Sequence, residues 1–369
     1  VRTAAGQVAT SGSYRGLLPS DLSDPTVRQI TKFSGFFQGG FDGNNMFNYD
    51  MANQTNKAIV EEMNNVTRGV TDGPTVKAYD RSLGIMADTT EVDVQLLVTP
   101  GIRHPVITDK ALLTTENRFD ALYIMDVEAY DTTNLLVTGS EQITSVRYTA
   151  NQFVERGINT SFGAAYFPDQ NLQDAKSGTV RAVPASVAVL GAFALNDKVG
   201  YPWNAPAGFT RGAMKRVVNS TVELNRDNLD ALQEARINPL ASFAGSQGVT
   251  VWGQKTLLGS ESALERVNVR RLLIDVRRKV RKVANRVVFE QGRTETLQRF
   301  EQLVNPILKD VQGKKGVERF LVKIDTETTT QADINNRTIR GKIYLAPTKT
   351  LEFLSVDFEI TNNSNFTQG

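Results

Sequence analysis

The chain has 369 residues, of which 40% are hydrophobic and 22% are charged, and its formal net charge is +2. This composition predicts a globular protein of two or three domains, and no stretch is apolar over the roughly 18 residues that a membrane-spanning helix needs. With no cysteine and one histidine, the sequence excludes disulfides and cysteine nucleophiles, disfavours zinc sites, and fits assembly in a reducing compartment.

Residues 1–38 are rich in Gly, Ser, Thr and Asp and lack sustained periodicity. They predict an irregular arm or the remnant of a missing N-terminal domain. From residue 39 a Gly-rich turn leads into a helical pattern, in which one face is formed by Met51, Ala58, Ile59 and Met63. A second short helix is predicted over residues 76–86.

The next part of the chain alternates between strands and helices. Buried strands are predicted over residues 94–98, 121–125 and 161–167, and helices over residues 107–117 and 142–155. This order predicts an α/β fold with a mixed sheet core flanked by helices and joined by right-handed crossovers.

Polar residues near the strand ends form no recognisable cofactor site. The turns after the first two strands lack a GxGxxG pattern, and the Gly and Lys residues at 313–316 lack P-loop spacing. We interpret His104, beside Pro105, as part of a rigid surface turn, and Asp126 as a loop or cap residue. No catalytic residue, metal or cofactor is therefore expected.

A helix is predicted over residues 185–195, with Pro184 in its first turn. The loop that follows, YPWNAPAG, places Trp203 between two prolines. We interpret Trp203 as an anchor that holds the loop against its own domain or a neighbour; stacking on a sugar or a base is the alternative. We divide the remaining chain into an α/β core at 39–213 and a C-terminal region at 214–369.

Residues 265–288 predict a basic amphipathic helix. Nine Lys or Arg residues and one Asp fall between residues 266 and 286. One apolar stripe is formed by Val269, Leu273, Val276, Val280, Val283 and Val287. At about 100° per residue, the cations farthest from this stripe, which we expect to project together, are Arg271, Arg278, Arg281 and Lys282.

Three interpretations of this basic face are open. A solvated face would suffer like-charge repulsion at helical spacings because it contains so little acid. Nucleic-acid binding would use the charge on phosphates, but the helix has no aromatic residue and no known binding module is evident. An acidic protein surface would use the same charge for steering and register.

A further helix is predicted over residues 295–308, and strands over residues 319–324, 339–346 and 351–360. The last of these strands carries Leu351, Phe353, Val356, Phe358 and Ile360. It can complete its own sheet or add to a sheet edge of another subunit. The sequence alone favours the first.

Several segments, in order along nearly the whole chain, resemble tail sheath proteins of contractile-tailed bacteriophages. They are GGFDG at 39–43, VTPGIR at 98–103, RFDALYIMD at 118–126, VPASVAVLGAFALNDKVGYPWNAPAG at 183–208, GVTVWGQKTL at 248–257, VNVRRLLIDV at 267–276 and LAPTKTLEFLSVDFEI at 345–360. Each segment is weak by itself, and the combination carries the resemblance.

The resemblance implies a structural subunit without catalytic activity, which polymerises as stacked hexameric rings around a tail tube and contracts without nucleotide. The implied partners are further copies of the chain, the tail tube protein, and baseplate and tail terminator proteins, with neither direct nucleic-acid contact nor membrane insertion. The implied location is the virion tail, after assembly in the host cytoplasm.

In this interpretation the four cations of the basic face contact the tube, and the strand at 351–360 joins the sheet of an adjacent subunit. The alternatives are the sheath of an R-type bacteriocin, an extracellular injection system or a type VI secretion system, a nucleic-acid-binding α/β protein, and an enzyme built on the α/β core.

Overall fold

The computed structural model describes residues 49–64, 73–137, 143–243, 248–287, 293–323 and 341–349, together with Ser23, Pro25 and Thr328. By its contacts the chain divides into two compact units, Val1–Asn45 and Met46–Gly369. All elements named below belong to the second unit. The predicted strand at 351–360 lies outside the described residues, as does nearly all of the predicted arm at 1–38.

The first half of the second unit passes from helices to alternating strands and helices. Its elements are α1 (Tyr49–Asn53), α2 (Asn56–Met63), α3 (Pro74–Ala87), β1 (Leu96–Val98), α4 (Pro105–Arg118), β2 (Leu122–Asp126), α5 (Val146–Glu155) and β3 (Gly163–Phe167). The helices and strands predicted for this region are confirmed, with ends shifted by a few residues.

The second half contains several elements that the sequence patterns did not predict. Its elements are β4 (Gln170–Gln173), β5 (Val180–Val183), α6 (Ala185–Val199), α7 (Gly208–Arg211), β6 (Val217–Ser220), α8 (Arg226–Glu234), β7 (Ile237–Ser242), β8 (Val249–Val251), α9 (Val267–Val287), α10 (Arg293–Gly313), β9 (Val317–Lys323) and β10 (Lys342–Pro347). Only α6, α9, α10, β9 and β10 were predicted.

A five-stranded sheet in the order β1-β2-β3-β7-β8 forms the centre of the unit. The strands β1, β2, β3 and β7 are parallel, and β8 runs antiparallel to β7. The predicted α/β fold with a mixed sheet is therefore confirmed. The division at residue 213 stays a prediction, and the strands β7 and β8 come from beyond it.

The two faces of this sheet are covered by different helices, because successive side chains of a strand point to opposite faces. On β2, Tyr123 and Met125 pack with apolar side chains of α2, α3, α4, α5 and α8. Leu122 and Ile124 pack with side chains of α6 and α9 on the other face. The core thus has three layers, and α9 belongs to the layer behind the second face.

The C-terminal elements form their own apolar cluster against α9. Its buried members are Trp203, Leu272, Val276, Val283, Val304, Leu308, Val311 and Val317. The strands β9 and β10 pair as an antiparallel hairpin, and β5, β4 and β6 form a separate antiparallel sheet. None of the described helices is long and apolar enough to cross a membrane.

Candidate functional site

The helix α9 lies between the central sheet and the C-terminal cluster, so its first half is buried on several sides. Val267 and Ile274 pack into the sheet layer, whereas Leu272 and Val276 pack into the C-terminal cluster. The predicted apolar stripe is present, but it is only one of two buried sides in this half. The basic face therefore becomes accessible only in the second half of the helix.

Arg271 is one of the residues that this packing removes from the surface. It is 4% exposed, and its Nη2 lies 2.5 Å from Asp197 Oδ2 on α6. Its guanidinium carbon lies 4.8 Å from the ring centroid of Phe193. Arg271 therefore does not project with the other predicted cations, because the side of α9 opposite its valine stripe packs against α6.

The other three predicted residues differ in their partners. Arg278 pairs with Asp93, in the segment before β1. Arg281 donates a 3.0 Å hydrogen bond to Thr89 Oγ1 and lies 3.7 Å from Asp120 Oδ2. Lys282 is exposed and forms no ion pair within the described part of the chain. The expected joint projection therefore holds only in part.

Helical geometry explains why these residues separate. At about 100° per residue, Arg271, Arg278 and Lys282 share one side of α9, and Arg281 lies roughly 100° away, in line with Arg270 and Arg277. On the first side, Lys282 and the following Arg286 are exposed and form no ion pair with a described residue. A helical projection of the sequence already shows this angular separation of the cations. Our prediction missed it because it treated the four cations as one surface.

The hairpin β9–β10 lies just before the predicted terminal strand along the chain. Among the described residues this sheet has two strands, and Leu321 and Tyr344 are 58% and 51% exposed. An isolated two-stranded hairpin is marginally stable, and added strands or packing stabilise it. The residues of the predicted inter-subunit strand, Leu351, Phe353, Val356, Phe358 and Ile360, lie outside the described residues.

The anchor interpretation of Trp203 is confirmed. Its side chain is buried, and its Nε1 donates a 3.1 Å hydrogen bond to the carbonyl of Lys314, at the end of α10. The ring of Tyr201 stacks on it at 5.0 Å between centroids. The loop after α6 is therefore fixed to the C-terminal cluster.

Asp126 caps a helix, as one of its two interpretations proposed. Its Oδ1 accepts a 2.7 Å hydrogen bond from Ser186 N, in the first turn of α6, and its Oδ2 accepts bonds from Ser186 Oγ and Gly101 N. Burial raises the pKa of the carboxyl, although Arg103 opposes this shift. These bonds fix the start of α6 to the C-terminal end of β2.

His104, which we interpreted as part of a rigid surface turn, is the N-cap of the helix α4. Its Nδ1 accepts a 3.3 Å hydrogen bond from Val106 N, and burial followed by the charge of Arg156 lowers its pKa. Within the described residues, no group of three or more His, Asp or Glu side chains could hold a metal ion.

Two curated relatives are tail sheath proteins of bacteriophages. The protein of Vibrio phage KVP40 is 34% identical over 182 residues, which cover 49% of this chain and 27% of the relative. The protein of Enterobacteria phage T4 is 25% identical over 301 residues, which cover 79% of this chain and 45% of the relative. The chain thus spans less than half the length of either relative. No family model matches it.

Solved structures of contractile assemblies share the fold. A chain of the contracted PVC sheath complex, an extracellular contractile injection system, aligns with TM-score 0.58 and 23% identity over 73% of this chain and 72% of its own length. A chain of the contracted anti-feeding prophage sheath aligns with TM-score 0.57 and 18% identity, over 78% of this chain and 74% of its own. The resemblance to tail sheath proteins is therefore confirmed.

Proposed function

We propose that the chain is a structural subunit of a contractile phage tail sheath, which polymerises as stacked hexameric rings around the tail tube and contracts to drive the tube through the host envelope. The main support is the similarity to the T4 tail sheath protein over 79% of this chain. The shared fold with subunits of contracted sheaths supports the same function.

The subunit functions by assembling into a polymer, and it catalyses no reaction of its own. A head-to-tail contact that does not close produces a helical filament. An extended sheath is a kinetically held state, and its contraction moves rigid cores that stay connected to their neighbours. The baseplate triggers the change, the terminator holds the far end, and the product is a virion component that assembles in the host cytoplasm.

The exposed second half of α9 is proposed to face the tube. On this side Lys282 and Arg286 are exposed and form no ion pair with a described residue, and Arg278 reaches the same side although Asp93 already pairs with it. Each exposed ion pair with an acidic tube surface contributes about 0.2–1 kcal/mol. Repetition over many subunits makes the sum sufficient to hold the extended state.

The hairpin β9–β10 is proposed to be the site where subunits join. The terminal strand at 351–360 of an adjacent copy adds to this hairpin by main-chain hydrogen bonds, which tolerate large rigid-body motion of the cores. The exposed apolar side chains Leu321 and Tyr344 would be covered in the enlarged sheet.

Co-expression with the tail tube protein tests the proposal. Sedimentation and negative-stain electron microscopy should find tube-filled sheaths for the wild type. The double variant Lys282→Glu, Arg286→Glu should lose tube-bound polymer, because the reversed charges repel an acidic surface. The control Arg81→Glu alters an exposed cation on α3 and should assemble normally.

Dispersed subunits in the wild-type preparation would contradict the sheath function. Normal assembly of the double variant would contradict only the tube-facing role of α9. Retention on duplex DNA at physiological salt, in place of polymer, would favour nucleic-acid binding.

A sheath of an extracellular injection system is the second candidate, because chains of the PVC and anti-feeding prophage assemblies share the fold. Mass spectrometry of density-purified particles separates the two. The phage function predicts that the protein co-purifies with DNA-filled particles, whereas the second candidate predicts particles without a genome.

A further inference from the structure

A cleft of about 740 Å³ lies beside α9, on the side that carries Arg270, Arg277 and Arg281. Its walls include the rings of Phe119 and Phe162. The hairpin β9–β10 contributes apolar side chains to its rim. The cleft thus combines aromatic walls with several guanidinium groups, and we call it the arginine cleft.

Arg270 is a buried cation to which no described residue supplies a counterion. It is 8% exposed, and its guanidinium carbon lies 4.0 Å from the centroid of Phe162. The Ser161 hydroxyl contacts one terminal nitrogen, whereas the Nε has no hydrogen-bond partner within the described part of the chain. Burial lowers its pKa to about 10. Buried charges are normally paired with an opposite charge. No described carboxylate pairs with Arg270, so an acidic group from outside the described residues would complete its environment.

The other cations of the arginine cleft also have unused capacity. Arg277 is exposed, lies 4.9 Å from the centroid of Phe119, and forms no ion pair with a described residue. Arg281 is 3.7 Å from Asp120, but Asp120 is already bound by Arg118 at 2.9 Å. One carboxylate therefore serves two arginines, and the cleft keeps an excess of positive charge.

The helix α8 displays the complementary charge. Asp227, Asp230 and Glu234 are exposed, and their spacing of three and four residues places them on one side of the helix. Glu223 is also exposed just before α8. None of these four carboxylates forms an ion pair with a described residue. Like charges at this spacing destabilise a helix, so the arrangement favours an external cationic partner.

We propose that this acidic stripe, residues 223–234, docks into the arginine cleft of a second copy of the chain. The proposal rests on the proposed function, because it requires self-association. A carboxylate that enters the cleft would supply a counterion for Arg270, and the others would meet Arg277 at the rim. Guanidinium and carboxylate groups form strong paired hydrogen bonds where aromatic walls exclude water.

The positions of the two surfaces determine the kind of contact. The helix α8 covers the sheet face of Tyr123, whereas α9 covers the opposite face. A pairing between different surfaces of two copies is heterologous, so the joined pair still has one free cleft, on the first copy, and one free stripe, on the second. Such a contact extends into a filament unless it closes into a ring.

Cross-linking between two variants tests the docking directly, because the chain has no native cysteine. Asn117→Cys places a thiol at the cleft, and Gln233→Cys places one beside the stripe on α8. A mixture treated with a short bis-maleimide should give covalent dimers that neither variant gives alone. The matched control replaces Gln233→Cys with Lys176→Cys, in the exposed turn between β4 and β5. A yield no higher than in this control would overturn the proposal.

Reversing the charge of one residue in each cross-linking partner tests whether ion pairs hold the two copies together. Arg277→Glu in the cleft partner, or Asp230→Arg in the stripe partner, should lower the yield about tenfold, and the two together should restore it. Arg81→Glu and Glu61→Arg, which alter exposed charges elsewhere, should leave the yield unchanged. Reversals that act no more strongly than these controls, or a pair that fails to restore the yield, would contradict the proposal.

Electron microscopy of the same mixtures separates this inference from the sheath function. Normal polymers without the specific cross-link would overturn the docking and leave the sheath function standing. The cross-link without any polymer, even after the tube protein is added, would support the docking and contradict the sheath function. Loss of tube binding in Arg277→Glu, without a cross-link in the parent mixture, would assign the cleft to the tube instead.

Discussion

Arg271 and Lys282 occupy the same side of one helix, yet their environments differ completely. Arg271 is paired with Asp197 and packed on Phe193, whereas Lys282 lies in solvent. The sequence pattern assigned both to one surface, because a helical projection shows direction but not what is packed against each turn. Burial of the first half of α9 depends on α6, which is far away along the chain.

Replacing these two residues should therefore have different effects on stability. Arg271→Ala should lower the free energy of unfolding by about 2–3 kcal/mol, because it removes a charged hydrogen bond and the contact with Phe193. Lys282→Ala should change it by less than about 0.5 kcal/mol. Urea denaturation followed by circular dichroism measures both; equal effects would contradict the buried position of Arg271.

Asp126 should impose a pH dependence on stability. Its pKa in the folded protein is raised by burial, so the folded state binds a proton more tightly than the unfolded state. Its contribution is then fully present below the unfolded pKa of about 3.9 and declines as the pH rises through the folded pKa. The stability of the wild type relative to Asp126→Asn should therefore fall with rising pH, by up to about 1.4 kcal/mol per pH unit.

Denaturation curves of both proteins between pH 4 and pH 8 measure this difference. Exposed carboxylates contribute equally to the two proteins and cancel in the comparison. A relative stability that increases with pH would show that hydrogen bonds from Ser186 and Gly101 outweigh the burial of Asp126.

At the scale of elements, strong periodicity was sufficient for prediction and weak periodicity was not. The strands β2 and β3 are continuous apolar runs, and α9 carries a long regular stripe, so their existence and type were predictable. By contrast, β4 and β6 read QNLQ and VVNS, β7 contains Pro239, and α8 buries only Leu232. These elements are specified mainly by tertiary contacts, which a local pattern does not contain.

The candidate site followed the same division. The basic helix and the angular separation of its cations were predictable from composition and spacing, whereas the burial of its first half and the cleft beside Arg270 were not. Asp197 pairs with Arg271 from α6, and Phe162 stacks on Arg270 from the segment before β3. Contacts between residues so distant along the chain leave no signal in the helix sequence itself.

Trp203 fixes the loop after α6 to the C-terminal cluster. Trp203→Ala should destabilise the protein by about 3–5 kcal/mol, because a large buried ring is lost from the cluster of α9, α10 and β9. Trp203→Phe should cost less, because a smaller aromatic ring still fills part of the site, although the hydrogen bond to the Lys314 carbonyl is lost. Thermal unfolding followed by circular dichroism measures both, and similar effects of the two variants would contradict the packing role.

At the scale of the whole molecule, the proposed function separates a rigid core from the surfaces that connect copies. The three-layer core is closely packed, so contraction should move it as a unit. The exposed end of α9, the hairpin β9–β10 and the arginine cleft lie at its periphery. Each surface has a distinct proposed partner, namely the tube, the terminal strand of one copy and the acidic stripe of another.

Cryo-electron microscopy of the polymer formed with the tube protein tests the sheath function and the orientation of the subunit together. Stacked six-subunit rings are expected, in which the core fits the density as one body and the exposed end of α9 lies toward the tube. A closed assembly without helical order, or subunits that stay monomeric beside bare tubes, would contradict the sheath function.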